Sequence, residues 1–144
     1  MKYKFTGETR TIPSGIILRQ IVAVRDVKPI VPSGTIGGWI ESEENLSHDG
    51  KSWVSDNAQV SGNAQVSGDA WVSGNSRVSE HARISGNALV FGNALVSGNT
   101  QVSDDVRVSG NVWVSDHTLT KEQKIENRIK KLYGKCKTTV HWSK

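Results

Sequence analysis

Histidine is the residue type in this chain best suited to proton transfer near neutral pH, and the chain has four copies: His48, His81, His117 and His141. An imidazole acts as a general base when the fold holds it against a substrate. Among the four, His81 is the candidate that we would name as a catalytic base. The adjacent acids Glu43 with Glu44 and Asp104 with Asp105 are the other charged pairs, and we expect both pairs to be solvated.

The composition points to one modest soluble domain with an unusual core. Of 144 residues, 35% are hydrophobic and 22% are charged. Val and Ser occur 17 times each and Gly 14 times, against two Phe and one Met, so small β-branched residues must fill the interior. No apolar run approaches the roughly 20 residues that span a bilayer, and we predict a cytoplasmic protein. The single Cys136 excludes an internal disulfide and CxxC metal clusters.

An internal repeat determines the architecture. From Val54 to Leu119 the chain runs through eleven consecutive six-residue units. Each unit has an aliphatic residue, then Ser in ten units, then Gly or an acid, then Asn, Asp or His, then a small residue and a variable one. The aliphatic positions are Val54, Val60, Val66, Val72, Val78, Ile84, Val90, Val96, Val102, Val108 and Val114.

This hexad describes a short strand followed by a sharp corner. The small and the aliphatic residue are two positions apart, so both point to one face of the strand, into the core. Gly and Asn tolerate a positive φ, which a sharp corner needs. Three corners, and therefore three hexads, complete a triangular coil, and coils stack about 4.8 Å apart. His81 and His117 are then two coils or about 9.6 Å apart in one corner column, too far to share a metal, and we predict no metal and no cofactor.

The hexad resembles that of the hexapeptide-repeat proteins, which form a left-handed parallel β-helix. A further resemblance lies upstream, in Ile36 to Glu43, Asn45 to Ser47, Gly50, Trp53 with Val54, and Asn57 with Ala58. These residues look like the first coil of small β-helical proteins of phages and prophages, some of which carry the label of putative transferase. The resemblance implies threefold association, and also an acyltransferase alternative with coenzyme A bound between subunits and a histidine base. That chemistry commonly uses a loop projecting from the coils, and residues 54–119 contain none.

The two ends differ from the repeat. We predict an N-terminal β cap over residues 1–35, the left-handed β-helix of four to five coils over 36–119, and a basic α-helix with its tail over 120–144. Turns are expected at Gly7 and around Pro13 and Pro32. Thr120 and Gln123 fit a helix N-terminus, and Ile125, Ile129 and Leu132 recur at helical spacing.

The variable positions predict an apolar interface. Because every third hexad returns to the same side of the coil, one face displays Trp53, Trp71, Leu89 and Arg107, with Phe91 beside Leu89, and the next face displays Gln59, Arg77, Leu95 and Trp113. Because apolar groups on adjacent coils seldom face water without a contact, we interpret Trp53, Trp71, Leu89, Phe91, Leu95 and Trp113 as interface residues. The partner is another copy in a homotrimer, a foreign protein, or the chain's own termini.

Positive charge is concentrated in residues 120–144, which carry eight basic and two acidic side chains. Lys124, Arg128, Lys130, Lys131, Lys135 and Lys137 could contact nucleic acid, or they form a solvated basic face. The function that we favour is a non-enzymatic binding or scaffold protein that acts through protein–protein contacts. The resemblance implies a phage or prophage setting, and antagonism of a host defence effector in the host cytoplasm is one form of the role there, a hypothesis with no sequence motif behind it. The acyltransferase and nucleic-acid binding are the alternatives.

Overall fold

The computed structural model describes residues 1–27, 31–116 and 118–119, together with the backbone of two short strands at 124–126 and 130–132. Three longer strands come first: β1 (Tyr3–Thr11), β2 (Ile17–Ala23) and β3 (Ile36–Ile40). A 3-10 turn at Glu43–Asn45 is the one helical element among the described residues, and none of their helices could cross a membrane. The short strands are β4 (Trp53–Val54), β5 (Gln59–Val60), β6 (Gln65–Val66), β7 (Trp71–Val72), β8 (Arg77–Val78), β9 (Arg83–Ile84), β10 (Leu89–Val90), β11 (Leu95–Ser97), β12 (Gln101–Val102), β13 (Arg107–Ser109), β14 (Val112–Ser115), β15 (Thr118–Leu119), β16 (Lys124–Glu126) and β17 (Lys130–Leu132).

The short strands form three parallel stacks, one for each side of the triangular coil. Face 1 contains β4, β7, β10, β13 and β16; face 2 contains β3, β5, β8, β11, β14 and β17; face 3 contains β6, β9, β12 and β15. In the stacks formed by strands β4 to β14, paired residues are three hexads apart in the sequence, as in the pairing of Trp71 with Leu89. The predicted all-β fold and its coil of three hexads are therefore confirmed as a parallel β-solenoid of about four turns.

The interior is filled by the aliphatic and small residues of the hexad. Each aliphatic residue from Val54 to Val114 is at most 1% exposed, and Ala58, Ala64, Ala70, Ala82, Ala88 and Ala94 are fully buried. Ser76 and Thr100 replace alanine in this column. Their buried hydroxyls donate to the carbonyls of Ser73 (2.7 Å) and Ser97 (2.6 Å), so neither polar group is left unpaired.

The corners have the backbone conformation that the hexad predicts. The third residue of each unit has a φ between 57° and 79°, whether it is glycine or one of the acids Asp56, Glu80, Asp104 and Asp116. Three of these acids also accept from backbone amides of the neighbouring coil: Asp56 from Gly74 (3.2 Å), Glu80 from Gly98 (2.9 Å) and Asp116 from Asn99 (2.8 Å). An acid at a corner therefore offsets its backbone strain with an additional hydrogen bond.

The N-terminal strands extend face 2 beyond the first coil. β1 pairs antiparallel with β2, and β2 with β3, while β3 runs parallel to β5. Gly7, expected at a turn, lies instead within β1 at an irregularity between Phe5 and Thr9 where the register shifts. Ile40 and Leu46 supply the aliphatic positions of the irregular first coil, through pairing with Val60 and Val66.

The predicted C-terminal helix is wrong over the two segments whose backbone is described, because both are strands that add a further coil. Ile125 pairs with Val108, and Leu132 pairs with Val114. The intervals of four and three between apolar positions suggested a helix, whereas the spacing of Leu119, Ile125 and Leu132 by six and seven continues the solenoid. Thr120, Gln123, Ile129 and residues 133–144 lie outside the described residues.

Leu119 occupies a position one residue earlier in the repeat than the regular hexad predicts. It pairs with Val102, whereas an uninterrupted repeat would place Thr120 opposite that valine, and it is fully buried. Leu119 is therefore the aliphatic residue of its strand and not an outward variable residue. Val114 and Leu119 are thus five residues apart, whereas the preceding aliphatic residues of the repeat are six apart.

The close stacking of the corners gives a first prediction. A Cβ on Gly92 would lie 2.7 Å from the amide nitrogen of Gly110, and Gly92 has a φ of 72°. We expect Gly92→Ala to lower the free energy of unfolding by about 2 kcal/mol, measured by urea denaturation. Gly92→Asp should cost about 1 kcal/mol less than alanine, because Asp tolerates this conformation and can accept from the next corner.

The matched control is Gly15→Ala, since Gly15 has a φ of 96° with nothing within 4 Å of a Cβ. This variant reports the cost of φ alone, and it should be milder than Gly92→Ala. Equal stability of the alanine variant and the wild type, or an aspartate variant that is less stable than the alanine variant, would contradict this account of the corners.

Candidate binding surface

Four large apolar side chains lie around one edge of the solenoid. Leu89 is on β10 of face 1, Phe91 follows it at the corner, and Leu95 is on β11 of face 2. Trp113 is the partner of Leu95 in the next coil. Phe91 and Trp113 are 38% and 39% exposed, and the two leucines are half-buried. We call Leu89, Phe91, Leu95 and Trp113 the apolar surface.

The other two predicted interface residues, Trp71 and Trp53, pack against or within the core. Trp71 is half-buried and packs against the core, next to Leu89 on face 1. Trp53, predicted to be an exposed interface residue, is wrong in that role because it is fully buried within the core. The physical reason is that Gly37, in the strand that precedes the first regular coil, packs directly against the indole. A Cβ added to Gly37 would lie 2.8 Å from Trp53 Cζ2 and 2.7 Å from Ile21 Cγ1. The N-terminal segment of the same chain therefore covers Trp53.

Basic residues border the apolar surface within both faces. On face 2, Arg77 precedes Leu95 and Lys131 follows Trp113 in the stack. On face 1, Arg107 follows Leu89, and Lys124 follows Arg107. Arg77 and Arg107 are exposed. An apolar surface with a cationic border is suited to a partner that combines apolar and acidic side chains.

The candidate nucleic-acid residues are only partly placed. Lys124 lies in β16 of face 1, and Lys130 and Lys131 lie in β17 of face 2. Arg128, Lys135 and Lys137 lie outside the described residues. The backbone thus assigns the placed lysines to two different faces, and nucleic-acid contact through these residues stays a prediction.

His81, the candidate base, is an exposed corner residue. Its backbone amide donates to the carbonyl of Gly98 at 3.0 Å, the same contact that the Asn and Asp residues make at this position from Asn57 to Asn93. His117 and His141 lie outside the described residues. Within the described part of the chain, no three His, Cys, Asp or Glu side chains are grouped to hold a metal ion.

A polar cluster beneath the first coil escaped sequence reasoning. The ring of His48 stacks on that of Tyr3, with 4.1 Å between centroids. His48 Nδ1 accepts from the amide of Lys2 at 3.1 Å, and Nε2 contacts the Glu43 carboxylate at 3.0 Å. The Tyr3 hydroxyl donates to the carbonyl of Leu46 at 2.6 Å. Both ring nitrogens of His48 are engaged in contacts within the chain, so this histidine has a structural role here.

Lys2 is fully buried beside this cluster. Its Nζ donates to the Ser52 hydroxyl at 3.0 Å and to the Asp49 carbonyl at 3.2 Å. Burial, assisted by the positive charge of Arg25, lowers the pKa of Lys2 from 10.5 to about 8. Burial also raises the pKa of Tyr3 above its usual range, and the nearby Glu43 adds to this effect. The alternation of polar and apolar residues at the N-terminus predicts a strand. It does not indicate that Lys2 and Tyr3 bond to Ser52 and Leu46, which are more than 40 residues away in the sequence.

This cluster gives a prediction for the pH dependence of stability. Since the pKa of Lys2 is about 8 when folded and 10.5 in an unfolded chain, the unfolded state binds more protons between these values. The free energy of unfolding should therefore rise with pH from about 8 towards 10. Above about pH 10, ionisation of Tyr3 in the unfolded state alone should lower it again.

Urea denaturation across this range measures the effect, and Lys2→Met is the control because it removes the titrating amine and keeps much of its volume. We expect the rise between about pH 8 and 10 to be absent from Lys2→Met. An equal rise in both proteins would contradict the assignment to Lys2.

Comparison with known proteins agrees with the solenoid repeat. A family profile described as the YdcK β-solenoid repeat matches residues 58–74, 64–80, 82–98 and 100–116. A curated Escherichia coli (strain K12) protein named "Uncharacterized acetyltransferase YdcK" is 32% identical over an alignment of 66 residues, and the match covers 41% of this chain. The chain spans only 20% of that relative's length. The described coils between residues 58 and 116 are therefore β-solenoid repeats similar to those of YdcK.

Proposed function

We propose that this chain is a non-catalytic β-solenoid that binds another protein chain through the apolar surface. The observation that supports the proposal is the exposure of Phe91 and Trp113 on neighbouring coils of a rigid fold, beside Leu89 and Leu95. Aromatic anchors with a polar border are the usual composition of protein interfaces. Because the backbone of each coil is bonded to the next, binding here would need little ordering of the main chain.

A second copy of the chain is the occupant that we propose first. Exposed acids lie at the corners that follow face 2, Glu80 after the strand of Arg77 and Asp116 after the strand of Trp113. Copies related by symmetry can bring Arg77 or Arg107 of one chain towards these acids of another while the apolar surfaces meet. A homotrimer is the assembly that the hexapeptide-repeat resemblance implies.

A foreign protein partner is the other form of the same proposal. The narrower idea of an antagonist that blocks a host defence effector rests on the phage resemblance alone. The YdcK relative lends it no support, since that protein is named for a different activity.

An acyltransferase is the second candidate, and the observation in its favour is that the YdcK relative is named an uncharacterized acetyltransferase. Against it stands the geometry of the described histidines. His81 is exposed at a corner, where in the described part of the chain its contact is the bond from its backbone amide to Gly98, and His48 has both nitrogens engaged. A general base needs a nitrogen free to accept a proton and a substrate held against it.

One prediction concerns association. We expect Phe91→Ser with Trp113→Ser to weaken self-association by tenfold or more, since truncating interface anchors costs more than about 1 kcal/mol each. Sedimentation velocity over a concentration series measures it. Gln101→Ser on face 3 is the control, because Gln101 is exposed away from the apolar surface, and it should associate as the wild type does. A wild type that stays monomeric throughout the series would contradict the second copy as occupant.

Another prediction concerns coenzyme A. If the chain is non-catalytic, millimolar acetyl-coenzyme A should leave its melting temperature unchanged, because only a ligand that binds the folded state stabilises it. Differential scanning fluorimetry measures this. A concentration-dependent rise in melting temperature that His81→Ala leaves in place would show cofactor binding and favour the acyltransferase.

A further inference from the structure

A groove separate from the apolar surface lies where the N-terminal hairpin overhangs face 2. It encloses about 490 Å³ between the turn that joins β1 to β2 and the strands and corners of two successive coils. The hairpin side is lined by Ile12, Pro13, Ser14 and Ile16, and the solenoid side by Gln59, Ser61, Gly62, Arg77, Ser79 and Glu80. Its volume falls within the range of small-molecule sites.

The hairpin wall is apolar and has a defined shape. The Ile12 amide donates to the Ile16 carbonyl at 3.0 Å, and the Gly15 amide donates to the Ile12 carbonyl at 2.8 Å. Gly15 has a φ of 96°, which allows this tight turn. Ile12 and Ile16 are each half-buried, so the turn holds two branched side chains at the groove without covering them fully.

The solenoid wall contributes a cation. Arg77 stacks on Gln59 of the preceding coil, and its side chain is exposed. In the residues that the structure describes, its guanidinium takes part in no ion pair. The other charged residue of the groove is Glu80, whose Oε1 accepts from the Gly98 amide at 2.9 Å and is thus bound to the next corner.

We propose that this groove binds a small carboxylate with an apolar body. The Arg77 guanidinium pairs with the carboxylate, and the apolar body lies against Ile12, Pro13 and Ile16. A planar guanidinium matches a carboxylate with two parallel hydrogen bonds, and the apolar walls favour a hydrocarbon chain over a strongly hydrated ion. One cation on the solenoid wall and three apolar side chains on the hairpin wall are the arrangement that such a ligand requires.

Octanoate is the probe for this site, and amide chemical shifts of the full chain in a titration are the readout. We expect millimolar octanoate to shift the amides of Ile12, Gly15 and Gly62, and octanol to bind more weakly. Arg77→Gln should weaken octanoate binding about fivefold, the effect of one partly exposed ion pair. Arg77→Lys should weaken octanoate binding less than Arg77→Gln does, because lysine keeps the charge but not the two parallel hydrogen bonds.

Arg83→Gln is the matched control, because Arg83 is the exposed arginine at the same hexad position of the next strand, on face 3 and outside the groove. It should bind octanoate as the wild type does. Glu80→Gln should bind octanoate equally or slightly better, since it removes a like charge from the groove. Ile12→Ser should weaken the binding of octanoate and octanol together.

Three outcomes would overturn the proposal. Octanol binding as tightly as octanoate would show that Arg77 makes no contribution. Shifts confined to the amides around Phe91 and Trp113 would place the ligand on the apolar surface instead. Weaker octanoate binding by Glu80→Gln would show that Glu80 supports the ligand, which a simple carboxylate does not explain. The association test changes Phe91 and Trp113, neither of which lines the groove, so either proposal can fail while the other stands.

Discussion

The solenoid depends on three sharp corners that return each strand to the strand of the preceding coil within hydrogen-bonding distance. The bonds run from an amide in one coil to a carbonyl in the next, as from Trp71 to Ala88 and from Gln65 to Ala82, both at 3.0 Å. The corners have to stack as closely as the strands, which leaves no space for a Cβ at most of them. The interior is then so narrow that Val and Ala fill it. The buried hydroxyls of Ser76 and Thr100 are accommodated there because each donates to the carbonyl three residues earlier.

This constraint restricts where a function can lie. Within the hexad, the aliphatic and small residues are committed to the core, and the corner residues are committed to the turn. The variable position and the residue after the aliphatic one remain free to differ from coil to coil. Leu89, Phe91 and Leu95 occupy these free positions within a single coil, and Phe91 replaces the serine found in the other ten units. Because this outward position holds Ser in the other ten units, the departure at Phe91 supports the proposed role of the apolar surface.

The repeat predicts much of the structure because its period is a geometric quantity. The register of three hexads per coil correctly placed Leu95 beneath Trp113 and Arg77 beneath Leu95. The same reasoning failed where the period changes, at Leu119, and where a short segment fits two periods, as residues 125–132 fit helix and solenoid alike. It also failed for Trp53, since the hexad specifies which way a residue points within a coil but not what the rest of the chain places over it.

The N-terminal segment supplies what a regular solenoid lacks. Stacked coils form flat faces and convex edges, so a concave site arises only where a non-repeating segment overhangs them. The hairpin does so at Ile12 and Ile16. At its other end it is held beneath the first coil by Lys2, Tyr3 and His48, through contacts between residues that are far apart in the sequence. Such contacts leave no periodic signal, because they form once in the molecule.

The burial of Lys2 costs stability while it is charged, and the hydrogen bonds to Ser52 and Asp49 offset part of that cost. Fixing the base of the hairpin in this way also restrains its strands, and these carry the apolar wall of the groove into position over face 2.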